Sequence, residues 1–495
     1  MSLETLLLSL KLLFNPYTIF LISVAGSIGL LVGAIPGLND TNILAMLLPF
    51  VVFFDPLMGI IAMTAIYVGS QTAGSIPAIL INVPGTPSAA ATCLEGYLLT
   101  KKGLQGQALG ASFFSSLVGG VLGGLLALFL SPILGKYALS FGPPEMFMVA
   151  IFGMTAVGSL TGKTIIKGLL SAVFGLLVAT TGLDFFTGVP RATFGILQLY
   201  DGIPLIPALL GLYGLSELFF LVDTKTITSS KNTAFLGLSA PIEGIKYALK
   251  YKLTMIRSCI IGWIIGVIPG AGATIASFTS YGQARQWSKN PETFGTGNFE
   301  GLVATDTANN ASVPGSLVPL LTLGIPGSGT TIIILAAFMI HGLRPGPGFF
   351  ASYIIESNAI FLTIILVGFF TFFLGILATK ILSKVSYIPT RILIPYVLSF
   401  CILGGFVWRN YVADLFIMLS FAIIGVIFKR YGYSAPAFLL GLILGPLAEP
   451  NLFRSLIIAH GNPTIFVTRP ICITLLILTV ISLFVPVFLH KKTSR

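Results

Sequence analysis

Long apolar runs separated by short polar stretches fill the chain from end to end. Residues 17–35, 108–130, 359–378 and 471–488 each approach the roughly 20 apolar residues that cross a bilayer as a helix. Shorter runs at 146–160, 168–183 and 203–222 continue the pattern. No polar stretch is long enough to form a separate soluble domain. The pattern predicts an all-α polytopic membrane protein with about twelve membrane segments, some of them not simple spans. The first residues carry Glu4 and Lys11, lack a small-residue cleavage site and lead straight into an apolar run. They read as an interfacial helix and not as a removed signal.

Composition agrees with this reading. The chain is 55% hydrophobic and 9% charged, with mean hydropathy +0.98, whereas soluble domains carry about 25% charged residues. The net charge of +11 suggests nucleic acid only until its distribution is read. Lys and Arg fall in short clusters between apolar runs: Lys101-Lys102, Lys163/Lys167, the loop 223–257, Lys380/Lys384, Lys429-Arg430 and Lys491-Lys492. Cytoplasmic loops of membrane proteins are basic in this way. An even number of runs separates successive clusters from Lys101 to Lys225 and from Lys384 to Lys491, so one sidedness satisfies these loops. The loop 223–257 holds six Lys or Arg. It reads as a cytoplasmic linker between an N-terminal half, 1–222, and a C-terminal half, 258–495. Cys93, Cys259, Cys401 and Cys472 are isolated in apolar stretches, with no metal or haem spacing.

The two halves share a pattern of helix breakers. Ile35-Pro36-Gly37 is followed by Pro77, then Pro84-Gly85-Thr86-Pro87-Ser88. Ile268-Pro269-Gly270 is followed by Pro319, then Pro326-Gly327-Ser328-Gly329-Thr330. Six residues separate the prolines of each later pair. The hairpin regions are 33–97 and 266–343. The first copy ends near Lys101-Lys102 on the basic side, whereas one further span separates the second from Lys380/Lys384. The copies therefore run in opposite senses. Inverted-topology repeats with Pro/Gly re-entrant hairpins or broken helices in matching positions point to a transporter's midplane site.

The residues at these breaks can hold an anion. Thr86 is placed as an N-cap with Pro87 at the first helical position, and Ser88 adds a hydroxyl. Gly327, Ser328, Gly329 and Thr330 repeat the chemistry, and Asn39 or Asp40 can cap a helix beginning near Thr41. Helix N-termini present free N–H groups and partial positive charge. No Lys or Arg occurs at 12–100 or 290–343. Backbone dipoles, hydroxyls and the amides Asn82, Asn309 and Asn310 would then hold the substrate, drawn from Asn82, Gly85, Thr86, Pro87, Ser88, Asn309, Asn310, Gly327, Ser328, Gly329 and Thr330. Asn39, Asp40, Thr41 and Asp306 are candidates for a co-bound cation, sodium ahead of a proton, because hard oxygen ligands suit it and acids at membrane depth are costly unless used. Glu300 reads either as a further functional acid beside these regions or as part of a solvated loop face, and Glu95 as an interfacial acid beside Lys101.

At these motifs the chain resembles the large membrane subunit of the tripartite tricarboxylate transporter family, TctA-type. The resemblance rests on residues 74–90, on Thr305-Asp306-Thr307-Ala308-Asn309-Asn310-Ala311 with the following 321–327, and on residues 341–347. It implies a multi-pass permease of the bacterial inner membrane. The permease would act with a small four-span membrane subunit and an extracytoplasmic substrate-binding protein, taking up di- or tricarboxylates by cation symport with no bound cofactor. Asp306 stands where the family pattern leads one to expect Glu. The competing readings are an intramembrane enzyme, for which no His–Glu pair, metal cluster or Ser/Lys dyad is placed, and a channel, which broken helices alone also permit.

Overall fold

The computed structural model describes residues 3–35, 38–138, 140–161, 164–184, 186–223, 239–379, 381–382, 390–407 and 409–493. Among them, six helices are long and apolar enough to cross a membrane: 16–33, 56–81, 105–133, 354–377, 412–431 and 435–458. Shorter apolar helices fill the gaps. The chain is an all-α polytopic membrane protein. Its outward faces are apolar, as a lipid solvent requires: Ile166, Leu170, Val173 and Leu177 stand exposed along one helix, and Val412, Phe416, Leu419, Ile423 and Ile427 along another.

The helices of the first half are α1 (Leu3–Leu13), α2 (Pro16–Gly33), α3 (Asp40–Val51), α4 (Pro56–Ala73), α5 (Ser75–Ile81), α6 (Cys93–Lys101), α7 (Gln105–Ala138), α8 (Pro143–Thr161), α9 (Ile165–Ala179), α10 (Leu205–Leu209) and α11 (Ser216–Asp223). A π-helical turn, Leu210–Leu215, joins the last two. The apolar run 168–183 stops being helical at Ala179. Beyond it, β1 (Gly182–Leu183) and β2 (Pro190–Arg191) form a small antiparallel hairpin that periodicity does not signal.

The rest comprises α12 (Ser239–Leu249), α13 (Lys252–Val267), α14 (Gly272–Trp287), α15 (Phe299–Leu323), α16 (Gly329–Ile340), α17 (Pro347–Ser352), α18 (Ile354–Leu377), α19 (Thr390–Val407), α20 (Val412–Tyr431), α21 (Ala435–Ile458), α22 (Ile465–Thr468) and α23 (Pro470–Thr493). Lys163, Lys225, Lys380 and Lys384, the Pro36-Gly37 pair and residues 224–238 of the linker lie outside the described residues, while α12 and the first turns of α13 occupy the linker from 239 to 257.

The repeat is visible in how backbones meet. α2 lies against α4 so closely that a Cβ on Gly29 would sit 2.4 Å from Ile66 O, and one on Gly33 2.6 Å from Ser70 O. α13 meets α15 in the same way, with Gly262 2.3 Å from Ala308 O and Gly266 2.5 Å from Ser312 O. Small residues allow such approach where no hydrophobic effect drives helices together. The breaks match as well. Asn82 (φ 58) and Gly324 (φ 75) each end a helix in the left-handed conformation. Gly85 N donates to Gly74 O at 3.0 Å, and Gly327 N to Ser316 O at 3.3 Å.

The copies are antiparallel. Beyond α6, Lys102 Nζ donates to Gly297 O at 3.4 Å, beside the start of α15. At the far end of α16, His341 lies against Gly59 near the start of α4. α15 is the central helix, with residues 301–322 all buried. Protein rather than lipid surrounds it, so it tolerates the polar stretch Thr305–Asn310 that no apolar window detects.

Candidate functional site

The two breaks converge on one cavity of ≈ 560 Å³. Four helices begin at its wall. α3 starts at Asn39, whose side chain accepts from Asn42 N at 2.8 Å. α14 starts at Gly272, which like Gly270 is left-handed, at φ +63 and φ +79 respectively. α16 starts with a capping box: Thr331 N donates to Ser328 Oγ at 3.2 Å, and Ser328 N to Thr331 Oγ1 at 2.8 Å. α21 starts at Ser434, whose hydroxyl accepts from Ala437 N at 3.1 Å. The N–H groups of these first turns direct partial positive charge at the wall.

A chain of side chains crosses the cavity wall from one hairpin to the other. Ser88 Oγ donates to Gln71 Oε1 at 2.9 Å, and Gln71 Nε2 donates to Asp40 Oδ2 at 3.2 Å. The same Asp40 oxygen accepts from Thr330 Oγ1. Thr330 Oγ1 lies 3.0 Å from Thr41 Oγ1, and Tyr67 OH 3.3 Å from Ser328 Oγ. Asn39, Asp40, Thr41, Pro87, Ser88, Ser328, Gly329 and Thr330 therefore line one cavity.

Other candidates lie elsewhere. Gly85 and Gly327 are the points where backbones cross: a Cβ on Gly85 would meet Gly33 O at 2.5 Å, and one on Gly327 would meet Ser316 Cα at 2.6 Å. Asn82 forms the outer bend of its hairpin and does not line the cavity. Thr86 occupies the N-cap position, but it leads only into a short 3₁₀ turn, Pro87–Ala90, and caps no backbone N–H. Its hydroxyl pairs with Ser88 Oγ at 3.0 Å instead, because α6 begins later, at Cys93. The expected N-terminal cup of the first copy is thus carried by α3.

Asp306, Asn309 and Asn310 belong to a second, fully buried polar cluster. Asp306 Oδ1 accepts from Ser75 Oγ at 3.1 Å and Thr92 Oγ1 at 2.5 Å. Its Oδ2 makes no hydrogen bond of ordinary geometry, with the Ser112 hydroxyl beside the carboxylate equally unsatisfied. Asn310 bridges Thr72 Oγ1 at 3.0 Å and Ser116 Oγ at 2.8 Å. Asn309 Nδ2 donates to Gln71 O at 3.3 Å, so consecutive residues of α4 serve the two clusters. Among the described residues, neither Asp40 nor Asp306 takes part in an ion pair.

Glu95 and Glu300 are structural. Glu95 accepts from Tyr281 OH, Gly295 N, Gly297 N and Asn298 N, pinning the loop before α15. Glu300 accepts from Thr254 and Ser288 at 2.9 and 2.7 Å. Several wall residues lie outside the Pro-Gly motifs. Tyr67 and Gln71 come from inside a span, and Tyr213 from the π-helical turn, with its hydroxyl buried and unpartnered. A π-turn is itself a frequent mark of a functional position. Lys429 also lines the cavity, paired with Glu217 at 2.7 Å, so the site is not wholly free of cationic side chains.

No solved structure matches the chain. An uncharacterised 52.8 kDa protein in the TAR-I ttuC' 3' region of Agrobacterium vitis is 35% identical over 481 residues, covering 96% of this chain and 94% of that protein. An uncharacterised protein in the TAR-II ttuC' 3' region of the same organism is 36% identical over 242 residues, covering 47% of this chain and 97% of that protein. The profile of the tripartite tricarboxylate transporter TctA family matches residues 19–440. By that match, which spans both hairpins and every residue of the cavity's polar chain, the chain belongs to the TctA family.

Proposed function

We propose that this permease subunit carries small di- or tricarboxylates across the bacterial inner membrane together with Na⁺, by alternating access. The observation that carries the reading is the continuous polar chain Ser88–Gln71–Asp40–Thr330, which ties both broken-helix regions to one carboxylate. A substrate carboxylate finds N–H groups and hydroxyls at the starts of α14, α16 and α21. The start of α3 differs because it bears Asp40, whose oxygen, with the Thr41 and Thr330 hydroxyls, suits a hard monovalent cation. The anion and the cation would then lie side by side, each lowering the cost of the other. Asp306 offers a second buried carboxylate that also needs a cation or a proton, because an isolated buried charge is strongly disfavoured.

The cavity meets Lys429 at the end of the molecule where Lys167 Nζ also donates to Tyr431 O. With that Lys-rich end in the cytoplasm, the conformation is the inward-facing one. Substrate would arrive on the opposite face from an extracytoplasmic binding protein, with a small four-span subunit completing the complex. The test is reconstitution of the chain with both partners in liposomes, followed by labelled-citrate and labelled-succinate uptake. Uptake that depends on both the binding protein and an inward Na⁺ gradient supports the scheme. Uptake indifferent to either one overturns it.

A further inference from the structure

A second cavity, ≈ 470 Å³, lies at the other end of the same helices. α21 lines the central cavity with Ala435 and Pro436 and this one with Pro446, Glu449 and Pro450. Pro436 and Glu449 are about 20 Å apart along the helix axis at 1.5 Å per residue. α16 likewise lines the central cavity with Gly329 and Thr330 and the outer one with Met339. The two cavities thus sit in line, with the packed bodies of α16 and α21 between them.

Arg191, at the end of β2, stands in the wall of the outer cavity. Its guanidinium grips Glu449 with both terminal nitrogens: Nη1 to Oε1 at 2.6 Å and Nη2 to Oε2 at 3.0 Å. This two-pronged geometry is the one an arginine uses for any carboxylate. Arg191 also touches Asp184 at 3.1 Å, and its Nε is buried without a partner. The two acids are held differently. Asp184 Oδ1 is fixed by Phe186 N, Thr187 N and Thr187 Oγ1 within the same β-hairpin, so Asp184 orients the arginine. Glu449 comes from a different element and is part-exposed, at 29% for its side chain against 33% for Arg191. It sits on the helical turn between Pro446 and Pro450. Each proline lacks an N–H and leaves the carbonyl four residues earlier without its helical donor, so this stretch of α21 is held less firmly than an unbroken helix.

We propose that Arg191 is an entry site for a small carboxylate, and that Glu449 is a tethered carboxylate that occupies it until substrate displaces it. The proposal rests on the reading of the central cavity as a carboxylate site. Exchange of one carboxylate for another on the same guanidinium avoids leaving either charge bare, so entry needs no uncompensated ion. Glu449, once released, repels a second anion and returns to Arg191 when the first has moved on toward α16.

The test has two arms. In the reconstituted complex, Arg191→Ala raises the half-saturating citrate or succinate concentration about tenfold, the equivalent of one lost charge-assisted contact. Glu449→Gln shifts it the other way, because the tethered carboxylate no longer competes for the guanidinium, which Asp184 still orients. A merely structural ion pair gives the same loss in both variants, with the charge-swapped Arg191→Glu/Glu449→Arg restoring uptake, and that result overturns the proposal. The second arm needs no transport. Phenylglyoxal modification of Arg191, followed peptide by peptide by mass spectrometry in the Glu449→Gln permease, is slowed by millimolar citrate or succinate but not by chloride. Absence of that protection also overturns the proposal. Protection without uptake in the wild-type complex would sink the transport scheme and leave the entry site standing. Wild-type uptake with no protection and an unaffected Arg191→Ala does the reverse.

Discussion

Thr330, on the hairpin of the second half, donates its hydroxyl hydrogen to the Asp40 carboxylate at the start of α3 in the first half. The site is therefore complete only when both halves are in this arrangement. Any motion that separates the hairpins also dismantles the oxygens around Asp40. Under the proposed coupling, an ion held by these oxygens links occupancy to conformation, since a ligand shifts an equilibrium by its differential affinity for the two states.

Asp40→Asn keeps the size of the side chain and its ability to accept from Thr330, but removes the charge. Uptake driven by a Na⁺ gradient is expected to fall at least tenfold, roughly 1.4 kcal/mol or more of lost cation affinity. The check is the initial rate in proteoliposomes with and without the gradient. A variant that retains full Na⁺ dependence removes Asp40 from the coupling.

Asp306 lies in a separate buried polar cluster, so its effect is separable. If Na⁺ occupies it, salt stabilises the folded protein by mass action, by about 2.7 kcal/mol at a hundred times the dissociation constant. NaCl should then raise the detergent-solubilised melting temperature of the wild type more than choline chloride does. That difference should shrink in Asp306→Asn. Equal Na⁺ stabilisation of both proteins would show that the ion binds elsewhere.

The hairpin crossings give a sharper structural prediction. Gly85→Ala and Gly327→Ala each push a methyl into backbone at 2.5 and 2.6 Å, which backbone atoms cannot yield to without moving whole helices. Both variants should lose most of their monodisperse material on size exclusion, a cost of several kcal/mol in keeping with the severe end of overpacking. Gly120→Ala is the control. It lies in α7 with open space where its Cβ would go, and a helical Gly→Ala change there should be neutral or stabilising by up to about 1 kcal/mol.

Glu95 is buried and accepts four hydrogen bonds from the α14–α15 loop and Tyr281. Glu95→Gln replaces one acceptor oxygen with a donor facing other donors. A destabilisation of about 2 kcal/mol or more follows from leaving buried groups unmatched. Limited proteolysis between Trp287 and Asn298 would accelerate relative to cleavage at other loops. An unchanged cleavage pattern would reduce Glu95 to a bystander.

The local chemistry of the site was legible. Asn39 and Ser328 announce helix starts because capping depends on a few neighbouring residues, and the Pro-Gly breaks recur at matched spacing. What was hidden came from position within helices. Tyr67 and Gln71 sit in an apolar span whose neighbours give no clue which face meets the cavity. Lys429 read as a basic loop marker, and only packing brings it to the cavity rim beside Glu217. Thr86 misled because its sequence is a good cap but the chain there makes only a 3₁₀ turn. α15 escaped hydropathy for the opposite reason: its surroundings are other helices, so Thr305, Asp306, Asn309 and Asn310 need no apolar disguise.

That last property bears on how the protein is made. A segment with a carboxylate two turns in and amides beside it pays up to about 2.5–3.5 kcal/mol for the acid alone when offered singly to the lipid phase. α15 therefore depends on partners already in the bilayer. α7, with Gly119 against Thr307 O and Gly123 against Ala311, is synthesised first and provides the surface it needs. Biogenesis thus imposes an order: the second half finds its depth by docking on the first, and the cavity between the two hairpins is formed in the same step that completes insertion.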